Sequence, residues 1–247
     1  MDSGCLALNY IEGLEDVSTI GEKAFQKCVN LTEINLNNIE KIYRTAFNDC
    51  PKLTSVNITL SKNLKTTNFL IGSHGTNDKN WITTVTIPDS VTEIGHGDFS
   101  GCTNLTSISI PDTVTRIGGY DKVKGFGAFA GCTSLTSVVI PDSVSKIENS
   151  VFYDCKSLTS ISIPDSVTEI GDWAFTGCES LTSISIPDSV TKIGNWAFSG
   201  CESLTSISIP DSVTKIGFST FGGCSDSLVI TYKGKQYNKD NIYDAFK

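Results

Sequence analysis

Nine cysteines stand in this 247-residue chain, a number that first raises disulfide or metal chemistry. Their spacing changes the question. Cys132, Cys155, Cys178, Cys201 and Cys224 follow one another at intervals of 23 residues, and Cys5, Cys28, Cys50 and Cys102 keep the same phase. Residues at one phase of a fixed repeat stack in a column on parallel strands, roughly 4.8 Å apart, with their side chains pointing the same way. A disulfide needs converging Cβ atoms about 3.8 Å apart. No pair here has the C-x-x-C spacing of a zinc site. The expectation is a column of buried reduced thiols acting as small hydrophobes, with disulfides or a metal column as the alternatives.

A second column is acidic: Asp89, Asp112, Asp142, Asp165, Asp188 and Asp211, each directly after a proline. Calcium would relieve their repulsion, but the Gly-rich nonapeptide of calcium-binding β-rolls is absent. The favoured reading is local, with each carboxylate accepting a backbone hydrogen bond in an Asx turn. Catalysis finds no foothold. The two histidines, His74 and His96, lie in different repeats and face no phased nucleophile, whereas hydrolytic chemistry needs a base beside its nucleophile. No catalytic, cofactor-binding or metal residues are therefore assigned, and no cofactor is expected.

Contact residues are easier to nominate. Ser183, Ser185, Ser206 and Ser208 alternate with buried isoleucines and should line a hydroxyl-rich sheet face, although small β-compatible residues also stack there for structural reasons alone. Trp173 and Trp196 share one phase in adjacent repeats and should stack on an outer wall, as a sugar or protein seat or as simple edge packing. Residues 118–127 insert two aromatics and two lysines, Tyr120, Lys122, Lys124 and Phe126, but not the G-x-x-x-x-G-K-[ST] order of a phosphate loop. An earlier insertion, near 61–80, carries Phe69, His74, Asp78 and Trp81.

These residues depend on a repeating frame. The segment Ile163-Pro164-Asp165-Ser166-Val167-Thr168-Glu169-Ile170-Gly171 returns almost unchanged at Ile186 and Ile209, and a period in this range marks a stacked solenoid. Within one unit Leu181, Ile184 and Ile186 give the alternation of a strand with one buried face. Asp188 and Ser189 turn the chain, Val190 and Ile193 cross a second wall, and Ala197 and Phe198 return to the core. Extending the register counts ten starts, the nine cysteines and Lys79. The expected organisation is an array of about nine repeats of 22–30 residues over 1–227 and a capping segment over 228–247. In the cap Leu228 to Tyr232 reads as strand and Asn238 to Lys247 as a short helix, capped by Asp240 or Asn238, with Ile242, Tyr243 and Phe246 inward. Cys5 is already in phase, so the chain reads as a fragment starting inside a longer array or at its edge.

The pattern L-x-x-I-x-I-P, then V-x-x-I-G, then A-F and G-C resembles the BspA-like, or treponemal-type, leucine-rich repeats over roughly Cys5 to Ser227. Thr231-Tyr232-Lys233-Gly234-Lys235-Gln236-Tyr237 is similar to the closing segment of such proteins from gut bacteria. The resemblance implies a leucine-rich-repeat solenoid: a curved, right-handed, β-rich coil with a parallel sheet on its concave face, short strands or turns on the convex side and a small C-terminal cap. It also implies a surface or secreted protein used in adhesion, without catalytic residues. A net charge of −8 argues against nucleic acid as partner, and no apolar run reaches the roughly 18 residues that span a bilayer. No secretory signal is visible in Met1 to Tyr10, while Asn30, Asn57 and Asn104 begin N-x-T sequons that would carry glycans in a eukaryotic secreted protein. The functional expectation is a monomeric, non-catalytic module that recognises an extracellular protein or glycan. A structural spacer holding another domain away from the cell surface is the alternative.

Overall fold

The structure, a computed structural model, describes residues 5, 8, 11, 13–43, 45–65, 67, 70–71, 81–120 and 126–247, with 70 and 71 described by their backbone. Lys79, Phe69, His74 and Asp78 lie outside this set, as do Lys122 and Lys124.

Each repeat contributes two short parallel strands to two columns. In the regular half one column holds Ser137–Val139, Ser160–Ser162 and Ser183–Ser185. Register advances by 23 residues per turn, pairing Ile161 with Ile184. The other column holds Lys146–Ile147, Glu169–Ile170, Lys192–Ile193 and Lys215–Ile216. Two-residue strands suffice because each rung is hydrogen-bonded above and below. The chain is thus a parallel β-solenoid, with a single 3-10 turn at Ile242–Phe246 as its only helix among the described residues.

The core is built from ladders of identical residues. Phe99, Phe129, Phe152, Phe175, Phe198 and Phe221 are fully buried and stack with ring centroids 5.2 to 5.7 Å apart, nearly parallel. Burying the A-F segment also buries its carbonyls, which need donors. Cysteine supplies one. Phe152 O accepts the backbone N–H of Cys155 at 3.2 Å and the Sγ–H of Cys178, one turn on, at 3.3 Å. The same thiol-to-carbonyl bond joins Cys132 to Phe99, Cys155 to Phe129, Cys201 to Phe175 and Cys224 to Phe198. No disulfide forms, and the thiols are both filler and donor.

Burial raises the thiol pKa values, to about 11 at Cys224 and well above the ordinary value at Cys155 and Cys201. Thiolate is the reactive form. Alkylation of the native protein at neutral pH should therefore be confined to the half-buried Cys5 and Cys50, with all nine cysteines reacting after unfolding. Rapid labelling of native Cys178, read by peptide mass spectrometry, would contradict this packing.

The proline turns close differently from the Asx expectation. Val167 N donates to Pro164 O at 3.0 Å, and Ser166 Oγ donates to Val144 O of the preceding turn at 2.7 Å. Ser189 and Ser212 repeat that bond to Val167 and Val190. Among the described residues none of the six aspartates in the column accepts a hydrogen bond, and all are exposed. Serine, which can donate as well as accept, performs the inter-turn role a carboxylate cannot. The exposed carboxylates are left to water, which screens their repulsion. Among the described residues no cluster of His, Cys, Asp or Glu is placed to hold a metal.

Irregularity concentrates where the repeat length changes. The strand Ser55–Leu60 meets Ile82–Thr86 with Ile58 opposite Val85, two residues away from the pairing of Val56 with Val85 that the repeat phase predicts. A slip of two preserves the inward face, whereas a slip of one would expose it. At the far end Val229–Tyr232 pairs antiparallel with Lys235–Tyr237, so a hairpin bearing charged residues ends the parallel sheet and guards its edge. Ile242 is buried beneath it, with Tyr243 and Phe246 packed against the core, as the sequence indicated. Asn238 Oδ1 accepts from the N–H groups of Asp240 and Asn241 and fixes the approach to the final turn.

Candidate functional site

The sheet face is regular and plain. Ser183, Ser185, Ser206 and Ser208 are exposed as expected, and their hydroxyls have no partner among the described residues. The neighbouring threonines are committed to the frame, since the hydroxyls of Thr136, Thr159 and Thr182 each donate to the threonine carbonyl of the preceding turn. Val139 and, opposite Ser206, Val229 are exposed apolar residues on this face.

The aromatic candidates instead gather on the wall that leads from the second strand column into the A-F segment. Trp173 and Trp196 stack at 5.3 Å with rings 4° from parallel. Phe218 meets Trp196 edge-on at 5.4 Å and is 70% exposed. Both tryptophans have positive φ, 55° and 50°, a region that bulky residues rarely occupy. The fold imposes this at that phase, where Ser150 and Ser219 also have φ near 55°. Holding such a backbone costs on the order of 1–3 kcal/mol per residue. The stacked rings offset part of that strain.

A polar ladder runs beside the tryptophans, one position earlier in each repeat. Asn149 Oδ1 accepts from Asp172 N at 2.9 Å, Asp172 Oδ1 from Asn195 N at 2.7 Å, and Asn195 Oδ1 from Phe218 N at 2.8 Å. The second insertion enters this ladder at its upstream end, because Phe126 falls at the same repeat phase as Asn149 and Phe218. Phe126 and Tyr120 are 52% and 46% exposed, and Tyr120 N donates to Asn149 O at 2.6 Å. Tyr120, Phe126, Trp173 and Trp196 thus share one wall, in a different part of the coil from the serines of the sheet face.

The base of the insertion is clamped by residues that depart from the repeat. Ala128 N donates to Gly118 O at 2.8 Å and closes the loop. Glu148 replaces the glycine of the V-x-x-I-G segment, and its carboxylate receives Arg116 Nε at 2.7 Å and Gly119 N at 2.9 Å. Arg116 also pairs with Glu93 and contacts His96 Nε2 at 3.1 Å, while His96 Nδ1 meets Gly119 O. Burial opposes the charge on Arg116, but the bonds to Glu148 and Glu93 outweigh it and raise its pKa. Gly118 and Gly119 permit the approach: a Cβ on Gly119 would lie 2.5 Å from Glu148 Cβ.

Comparison with known proteins fits this frame. The family model for the BspA type leucine-rich repeat region matches residues 3–71, 70–121 and 125–244. The chain belongs to the BspA-type leucine-rich repeat family. No curated protein matches it. Among solved structures, a leucine-rich repeat protein from Bacteroides ovatus is 29% identical with a TM-score of 0.58, the match covering 85% of this chain and 57% of that one. The chain therefore spans a little over half of that relative's length. A leucine-rich repeat protein from Eubacterium ventriosum, 17% identical, shares the fold at a TM-score of 0.57 over 89% of this chain and 85% of its own. The T. pallidum leucine-rich repeat protein is 28% identical with a TM-score of 0.47, covering 80% and 75%.

Within this BspA-type array, sequence reasoning nominated the tryptophans and the loop aromatics but missed the Asn149–Asp172–Asn195 ladder, Phe218 and the Arg116–Glu148 clamp. A signal existed for the clamp. Glu148 breaks the V-x-x-I-G pattern one turn after the insertion, which marks it as a residue serving a neighbour. Among the described residues no helix is long and apolar enough to cross a membrane.

Proposed function

We propose that this chain is a non-catalytic recognition module of a cell-surface or secreted, adhesin-like protein, binding an extracellular protein or glycan through its aromatic wall. The observation that carries the reading is the convergence of Tyr120, Phe126, Trp173, Trp196 and Phe218 on one wall, with three of them exposed or nearly half exposed. Aromatic anchors are the usual centres of binding hot spots, and an insertion carried on a rigid array is where recognition commonly resides. The surface location rests on the character of the family. Candidate contacts remain Tyr120, Lys122, Lys124, Phe126, Trp173 and Trp196, with the sheet serines 183, 185, 206 and 208 as a secondary face.

The test is a screen against extracellular matrix proteins and immobilised glycans, run with the intact chain and with residues 119–125 deleted. That deletion restores the 23-residue spacing between Cys102 and Cys132, so the solenoid should survive it. Specific binding that disappears with the loop supports recognition. A blank screen with the intact chain would favour the spacer alternative.

A further inference from the structure

The aspartate column has an end, and there its surroundings change. One repeat beyond Pro210 and Asp211 the chain places Lys233 and Gly234, both with positive φ, 49° and 71°. They form the turn between Val229–Tyr232 and Lys235–Tyr237, so the chain folds back instead of covering the Pro210 turn. Tyr232 Oη donates to Val213 O at 2.8 Å, taking the role of the turn serine and fixing the root of the hairpin. An open cleft of about 380 Å³ lies between the last proline turn and the hairpin. The proline-turn side brings Asp188 and Asp211, one turn and roughly 4.8 Å apart, the hairpin brings Lys233, and the sheet brings Ser208 and Thr231. All three charged residues are exposed. Among the described residues neither carboxylate pairs with the Lys233 ammonium, which stands 5.0 Å from the centre of the Tyr232 ring, and the two hydroxyls are unpartnered.

We propose that this cleft binds a small zwitterion, its ammonium between Asp188 and Asp211 and its carboxylate at Lys233. The site is separate from the aromatic wall and does not depend on the recognition reading. Opposite charges share one cleft without meeting, which leaves room between them for a dipolar molecule that makes a charge-assisted hydrogen bond at each end. A simple cation is drawn to the carboxylates but repelled by Lys233, and a simple anion meets the reverse. A metal ion such as calcium wants six or more oxygens, and an ammonium in the cleft works against it. Ser208 and Thr231 add neutral donors and acceptors, giving the few convergent polar groups typical of a small-molecule site. The arrangement occurs once. At each earlier proline turn the position of Lys233 is held by a proline, from Pro88 to Pro210, so no other pair of aspartates in the column has a cation at that phase.

The experiment is a calorimetric titration of the intact chain with unbranched amino acids from glycine to 6-aminohexanoate, with hexylamine and hexanoate as single-ended controls. At least one chain length should bind saturably, on the order of tenfold more tightly than either control, since each control satisfies only one side. Added salt should weaken it, as both ends are charged and the cleft is open. Asp211→Asn and Lys233→Asn should each weaken binding on the order of tenfold. Both variants should fold, because Asp211 is exposed and asparagine tolerates the positive φ of a hairpin turn; an unchanged melting temperature checks this. Asp142→Asn, three turns back along the same column, should bind as the parent does. Three results overturn the site. One is the absence of saturable binding at every chain length. Another is hexylamine binding as tightly as any amino acid, which would reduce the effect to attraction by the acidic column. The third is binding that survives both cleft variants. None of these outcomes bears on recognition through the aromatic wall, which the matrix-protein and glycan screen tests separately.

Discussion

Replacing Phe175 by alanine should destabilise the protein by about 3–5 kcal/mol, the range for truncating a buried aromatic. The ring is fully buried between Phe152 at 5.5 Å and Phe198 at 5.4 Å, almost parallel to both. Its removal forfeits two stacking contacts and leaves a void that neighbours cannot fill, because they are pinned by their own turns. A solenoid is held by nearest-neighbour interfaces, so the damage should also be divisive. Urea unfolding followed by tryptophan fluorescence and by circular dichroism should give one transition for the parent. The variant should give transitions that no longer coincide, as the turns on either side of residue 175 uncouple. Phe218→Ala removes a ring of the same size that is 70% exposed, and should stay within about 0.5 kcal/mol of the parent. If both variants unfold like the parent, the phenylalanine ladder is not what holds the turns together.

That contrast shows what was legible in the sequence. A repeat whose side chains alternate in and out announces its core directly, so Ile170, Ile184, Phe175 and the cysteine column followed from the 23-residue phase alone. So did the two insertions, because a fixed ruler exposes every change of length. The illegible features involve partners on different turns. The Asn149–Asp172–Asn195 ladder exists because side-chain amide and carboxylate oxygens cap N–H groups one turn downstream, and composition does not show which N–H groups need capping. The Asx turns failed for a related reason: Asp165 has the right chemistry locally, but the acceptor to be satisfied was Val144 O on the preceding turn, and only the Ser166 hydroxyl can donate to it. The slip at Ile58 and Val85 was hidden because moving by two residues keeps the same face buried.

Gly127→Ala should be the second severe substitution. A Cβ there would stand 2.1 Å from Ser150 O, 2.5 Å from Ser150 C and 2.7 Å from Val151 N. All three are backbone atoms of the next turn, which cannot swing aside like the tip of a side chain. The two turns must separate, at a cost on the order of 3 kcal/mol. Gly131→Ala is the informative comparison. There the nearest atom is 3.6 Å away but φ is +75°, so the cost is conformational, about 1 kcal/mol. Space and backbone angle are thereby separated at two glycines four residues apart. Denaturant midpoints of the two variants measure both effects. A Gly127→Ala protein that melts with the parent would show that the two turns are not in close contact.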